Sequence, residues 1–170
     1  MFNRIRADIR RVADQERTVL SKVGAILFNL GFHAVLFYRL SHWLHTHHLG
    51  ALAAVVSYWS AVFTGAQISA RATIGKGLII YHPNGHVIGA TAVIGDYCTL
   101  TQGNMIGQRR GGGDRPTIGD YLYAGAGAKI LGDIKIGNRV RVAANSVVFH
   151  SLPDDASVIG VPAKKISHNG

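Results

Sequence analysis

One histidine of this 170-residue chain stands where a regular pattern breaks. In Ile80-Tyr81-His82-Pro83-Asn84-Gly85-His86-Val87-Ile88-Gly89, an aliphatic beat that otherwise returns every six residues slips by two. Such a slip pushes a side chain outward at a corner. An imidazole there can take a proton from a hydroxyl as a general base. Spacing alone leaves His82 open between a general base and a histidine on a surface loop, with His86 the weaker fallback. The other reactive groups have plainer readings. His42, His45, His47 and His48 crowd together, but no cysteine or acid nearby completes a site, so no metal is expected. Cys98 falls in an inward phase and reads as a small buried side chain. As the single cysteine it excludes an intrachain disulfide and fits a reducing compartment.

The beat itself defines the element that must position His82. Aliphatic residues recur at Ile68, Ile74 and Ile80, then at Ile88, Ile94, Leu100 and Ile106. After a polar interruption from Gln108 to Thr117, they return at Ile118, Ala124, Ile130, Ile136, Val142 and Val148. A six-residue period marks a β-helical solenoid, in which each hexapeptide makes one flat face and three faces make a coil. Four residues after each beat a smaller residue turns inward: Ala72, Ala92, Cys98, Ala128, Val140 and Ser146. Gly, Asn and Asp between them suit corners with positive φ. The pattern predicts about five coils of roughly eighteen residues each.

The first sixty-odd residues differ. Asp8 to Ser21 is charged and helix-compatible, Gly24 to His48 is apolar and aromatic, and Gly50 to Gln67 carries no charge. That last window is near the length of a membrane span. It contains Gly, Ser, Tyr, Thr and Gln and runs directly into the first coil, so two or three packed helices are expected, with peripheral contact at a membrane surface as the alternative. The resulting division is a helical segment over 1–64, a solenoid over 65–166 with a loop at 107–117, and a tail over 167–170. No secretory signal is evident, which gives a cytoplasmic expectation, extending to the inner membrane surface. The net charge of +9 raises anionic partners. The basic residues are scattered and not interleaved with aromatics, so nucleic acid is not expected.

Specific segments resemble a known family over almost the whole chain. Gly31-Phe32-His33-Ala34-Val35 with Tyr38-Arg39 and His42-Trp43-Leu44 is similar to the last helices of the serine acetyltransferases. Ile74-Gly75-Lys76-Gly77, Thr91-Ala92-Val93-Ile94-Gly95, Gly125-Ala126-Gly127-Ala128-Lys129-Ile130-Leu131-Gly132, Ala144-Asn145-Ser146 and Gly160-Val161-Pro162-Ala163-Lys164 continue the likeness. The resemblance implies a mainly β fold, a left-handed parallel β-helix preceded by a small α-helical domain. It also implies a homotrimer or a dimer of trimers, and acetyl-CoA as donor without a metal. It makes His82 the base. It places Ala126 and Ala144 along the pantetheine arm and Lys164 at the nucleotide phosphates, while Gly107 and Arg109 belong to a loop able to cover the thioester.

The departures bear on the acceptor. The family has an Asp before its catalytic His where this chain has Tyr81, and an Asp paired with that His where this chain has Gln67. Its loop reads Gly-Gly-Asp-Arg-His-Pro, whereas this one reads Gly112-Gly113-Asp114-Arg115-Pro116. Glu16 stands in register with a second acceptor-contacting Asp. Tyr81, Glu16 and Arg115 are thus the acceptor-side candidates, and Gln67 is the residue expected to orient His82. A zwitterionic amino acid needs a carboxylate for its ammonium group, which Tyr81 cannot supply. Similar losses mark relatives resembling exopolysaccharide (colanic-acid-type) O-acetyltransferases. The sequence therefore points to a sugar or glycan acceptor, with serine O-acetylation as one alternative and a non-catalytic trimeric scaffold as another. The tail Ser167-His168-Asn169-Gly170 lacks a terminal Ile, so no cysteine synthase complex is expected.

Overall fold

The computed structural model describes residues 1–109 and 114–166. Four helices precede the solenoid: α1 (Phe2–Ala13), α2 (Val19–Phe28), α3 (Leu30–Thr46) and α4 (Gly50–Thr64). The first coil follows as β1 (Gln67–Ile68), β2 (Thr73–Ile74) and β3 (Ile79–Ile80). The second is β4 (Val87–Ile88), β5 (Val93–Ile94) and β6 (Thr99–Leu100). The third is β7 (Met105–Gly107), β8 (Thr117–Ile118) and β9 (Tyr123–Ala124), and the fourth is β10 (Lys129–Leu131), β11 (Lys135–Ile136) and β12 (Arg141–Val142). The fifth comprises β13 (Val147–Val148), a bridge from Leu152 to Ile136, and β14 (Ser157–Ile159). β15 (Lys164–Lys165) turns back antiparallel to β14.

Equivalent strands stack into three parallel sheets: A, β1-β4-β7-β10-β13; B, β2-β5-β8-β11; and C, β3-β6-β9-β12-β14 with β15 at its edge. The hexapeptide beat fills the axis. Ile74, Ile94, Ile118 and Ile136 form one buried column, and Ala72, Ala92, Cys98, Val140 and Ser146 are also buried, as their inward phase requires. Leu78 and Leu122 take the same inward phase at other corners and are equally buried.

The open end of the first coil would present unpaired backbone groups. The helices cover it with polar side chains. Tyr38 Oη donates to the Ala72 carbonyl at 2.9 Å and accepts from the Ile74 N–H at 3.1 Å. Arg39 donates to the carbonyls of Ile74 and Gly75. Asp8 accepts from the Leu78 N–H at 3.1 Å and from Arg39 Nε at 2.9 Å, with both side chains almost fully buried. Gly31 lets α3 approach the Ile80 carbonyl, where a Cβ would collide.

Two expectations for this region change. The stretch from Asp8 to Ser21 is two helices, because Thr18 caps a new one by accepting from the Ser21 N–H, and Asp8 is a buried ion-pair partner. The uncharged window from Gly50 is a 15-residue helix ended by Gly65 at φ 71°. No single helix is long and apolar enough to cross a membrane; α2 and α3 reach that composition only as a pair bent by 59°.

Candidate active site

The slip at residues 81–86 lies at the corner that joins sheet C to sheet A. In the other coils four residues separate the two faces, from Leu100 to Met105, Ala124 to Lys129 and Val142 to Val147; from Ile80 to Val87 there are six. The regular corner stacks by backbone bonds. Gly103 N–H donates to the Asn84 carbonyl at 3.2 Å, Gly127 N–H to Gln102 at 2.8 Å, and Asn145 N–H to Ala126 at 2.7 Å. Asn84, Gln102, Ala126 and Ala144 are therefore successive rungs of one edge. With a strand spacing of about 4.8 Å, Asn84 to Ala144 spans about 14 Å.

His82 belongs to the two extra residues and not to the ladder. Its φ of 53° is left-handed, and its imidazole is exposed. The bulge is pinned around it by Tyr81 N–H to the Leu100 carbonyl at 2.8 Å and Gly85 N–H to Gly65 at 3.0 Å. One edge thus carries, in order along the axis, His82, Ala126, Ala144 and, beyond the fifth coil on β15, the exposed Lys164.

Gly107, Arg109 and Arg115 lie elsewhere. Gly107 ends β7, so the 107–117 loop leaves from the corner between sheets A and B, across sheet A from His82. The Arg109 guanidinium stacks 4.4 Å from the centroid of Phe149, and Asp114 accepts from the Arg109 N–H at 3.0 Å. Within the 107–117 loop, residues 110–113 fall outside the described residues, as does the tail over 167–170. Gln67 is exposed at the start of β1 and lines a cleft of about 500 Å³ between α4 and sheet A. No hydrogen bond joins its side chain to His82; its N–H donates to the His86 carbonyl at 2.8 Å.

Of the acceptor-side candidates, Tyr81 and the turn that carries Glu16 come together, whereas Arg115 does not join them. Tyr81 Oη donates to Gln15 Oε1 at 2.9 Å, which brings the turn after α1, with Glu16, to the His82 corner. Arg11, one turn back, donates to the carbonyls of Gly77 and Cys98 and to Thr99 Oγ1. Burial lowers the pKa of that guanidinium, with partial compensation from nearby tyrosines and Cys98. Sequence reasoning overlooked Gln15 and Arg11. The spacing Asp8, Arg11, Val12 and Gln15 was the available signal, since i, i+3, i+4 and i+7 share one helix face.

His86 is not an alternative base. It is fully buried inside the bulge, neither ring nitrogen has a partner among the described residues, and burial pushes its pKa down to about 4. Cys98 is buried too, and burial pushes its thiol up to about 11. His42 Nδ1 lies 2.9 Å from the Ala70 carbonyl, and no group of three metal-ligating side chains occurs among the described residues.

Comparison with known proteins gives a consistent set of relatives. Residues 115–150 match the bacterial transferase hexapeptide family, described as six repeats. The chain is 37% identical to the serine acetyltransferase of Synechococcus elongatus, over all of this chain and 70% of that protein. It is 39% identical to that of Staphylococcus aureus strain Mu50, over all of this chain and 81% of that protein. Serine acetyltransferase from Brucella abortus strain S19 superposes with a TM-score of 0.91 at 35% identity, covering 99% of this chain and 69% of that one. Soybean serine acetyltransferase complexed with serine gives 0.90 at 34% identity, covering 96% and 68%. The Brucella enzyme in complex with coenzyme A gives 0.90 at 35% identity, covering 99% and 68%.

Proposed function

Since the chain belongs to the serine acetyltransferase family of hexapeptide-repeat acyltransferases, we propose that it moves an acetyl group from acetyl-CoA to the hydroxyl of a small polar acceptor, with L-serine first in line. The donor reading is carried by one observation: His82, Ala126 and Ala144 share a single corner edge. Its rungs span about 14 Å, and small residues there let an extended pantetheine arm lie against the backbone. Lys164 at the far end suits a phosphate. The likeness to a coenzyme A complex supports this direction of binding.

Gly107, Arg109 and Arg115 sit one face away from His82 in the same chain. A second copy whose loop edge meets the His82 edge brings them together, which favours a homotrimer or a dimer of trimers with the groove between subunits.

In the reaction, His82 takes the acceptor proton as the oxygen attacks the acetyl carbonyl. A backbone N–H at the corner steadies the oxyanion. The C–S bond breaks, and the imidazolium returns the proton to the leaving thiolate. General-base catalysis of this type contributes about 10²–10⁴-fold.

Serine is favoured by the relatives' names and by Glu16, which follows Gln15 in the turn tied to Tyr81 and offers a carboxylate for an ammonium group. A sugar hydroxyl is the second reading. The specific observation behind it is Tyr81, a half-exposed neutral ring beside His82 on which a sugar can stack. The relatives described above are named serine acetyltransferases, which places the sugar reading second. The test is release of CoA over L-serine and a panel of nucleotide sugars and oligosaccharides. Turnover of serine alone supports the first reading, and turnover of sugars alone supports the second. His82→Ala is expected to lose about 10²–10⁴-fold with either acceptor, and full activity in that variant removes His82 from the mechanism.

A further inference from the structure

We propose that Gln15 is a specificity-determining positioning residue, which fixes the Tyr81 ring as one wall of the acceptor pocket beside His82. The proposal rests on the reading of His82 as base.

The contact is built by register between a helix and a coil. Asp8 meets the Leu78 N–H, Arg11 meets the Gly77 carbonyl, and Gln15 meets the Tyr81 hydroxyl. Asp8 and Arg11 hold α1 against residues 77–78 and, through Arg11, against Cys98 and Thr99 of the second coil. Gln15, one turn beyond Arg11, then reaches Tyr81 just after β3, at the bulge. Asp8 and Arg11 lock this alignment from buried or part-buried positions. Gln15 Nε2 turns back to the Arg11 carbonyl at 3.4 Å, which leaves Oε1 facing the phenol.

The Tyr81 backbone is tied to Leu100, the residue is 37% exposed, and among the described residues Gln15 is the one side-chain hydrogen-bond partner of its hydroxyl. A phenol and a neutral amide at this point contribute a ring face and no formal charge. The ammonium-binding duty then falls on Glu16 alone, and the Tyr81 wall selects by shape.

The experiment is steady-state kinetics of Gln15→Leu, Tyr81→Phe and the double variant, with L-serine or the glycan that the wild type turns over. Loss of one hydrogen bond corresponds to about two- to tenfold. Each single variant is expected to raise acceptor KM by that factor, with acetyl-CoA KM unchanged. The double variant should be no worse than either single one, because all three remove the same bond. Gln15→Glu retains an acceptor oxygen and is expected to restore acceptor KM. Unchanged acceptor KM in Gln15→Leu, or multiplicative effects in the double variant, overturns the proposal. So does a parallel fall in kcat and both affinities with a lower melting temperature, which marks a merely structural residue. His82→Ala run alongside separates the failures: an active His82→Ala overturns the base assignment, whereas an inactive one with an unaffected Gln15→Leu overturns only the role of Gln15.

Discussion

Removing the Asp8 carboxylate should destabilise the whole protein and, with it, the acceptor side of the site. Asp8 and Arg39 are 0% and 2% exposed, joined at 2.9 Å, and Asp8 also accepts the Leu78 N–H. In Asp8→Ala the guanidinium keeps its bonds to the Ile74 and Gly75 carbonyls but loses its counter-charge, and Leu78 N–H loses its acceptor. Breaking one half of a buried pair costs about 3–5 kcal/mol. For a chain of this size that is a fall in melting temperature of roughly 6–20 °C at fixed protein concentration. Arg39→Met should cost a similar amount, since it strands a buried carboxylate. The double variant Asp8→Ala/Arg39→Met should recover part of the loss, because no lone charge remains, yet stay below wild type, because backbone groups at the coil end have lost their partners. Thermal melts of the four proteins complete the cycle. At temperatures where Asp8→Ala is folded, acceptor KM should rise while acetyl-CoA KM holds, since α1 carries Gln15 and Glu16 to the corner. A cost below about 1 kcal/mol for Asp8→Ala, against the 3–5 kcal/mol of a broken buried pair, would refute the view that this pair docks α1.

Three further outcomes are expected. Burial depresses the folded pKa of His86 to about 4 from 6.5, so the unfolded state holds more protons between those values and stability falls by about 3 kcal/mol as pH drops through that window; denaturant unfolding of His86→Leu should show a correspondingly flatter pH dependence. A Cβ on Gly125 would meet Ala144 N at 2.6 Å and Ala144 Cα at 2.9 Å, backbone atoms that cannot turn aside, so Gly125→Ala should cost about 1–3 kcal/mol and weaken CoA binding by calorimetry. With its thiol pKa raised to about 11 by burial, Cys98 should react with a disulfide reagent at pH 8 only on unfolding; rapid labelling of the native protein would contradict its inward placement.

The solenoid was legible in the sequence because its determinants are local. Each hexapeptide carries its own inward aliphatic residue and small corner residue, so the period predicts the coil without reference to distant parts of the chain, and the two-residue slip at 81–86 marks the bulge for the same reason. The helices were legible only as stretches, one charged and two apolar. Their end points depend on Thr18 and Gly65, and their docking depends on pairs such as Asp8 with Arg39 and Gln15 with Tyr81, 31 and 66 residues apart. Tertiary structure alone decided three matters. It buried His86 within the bulge and left His82 outside, because His86, two residues before Ile88, holds the inward position that Ala92 holds before Ile94, while His82 is one of the two extra residues. It put Ala126 and Ala144 on the His82 edge and the Arg109 loop on another, because a three-sided prism separates consecutive corners. And it brought the turn after α1 to the His82 corner, because Gln15 and Tyr81, 66 residues apart in the chain, meet only when α1 docks on the first coils.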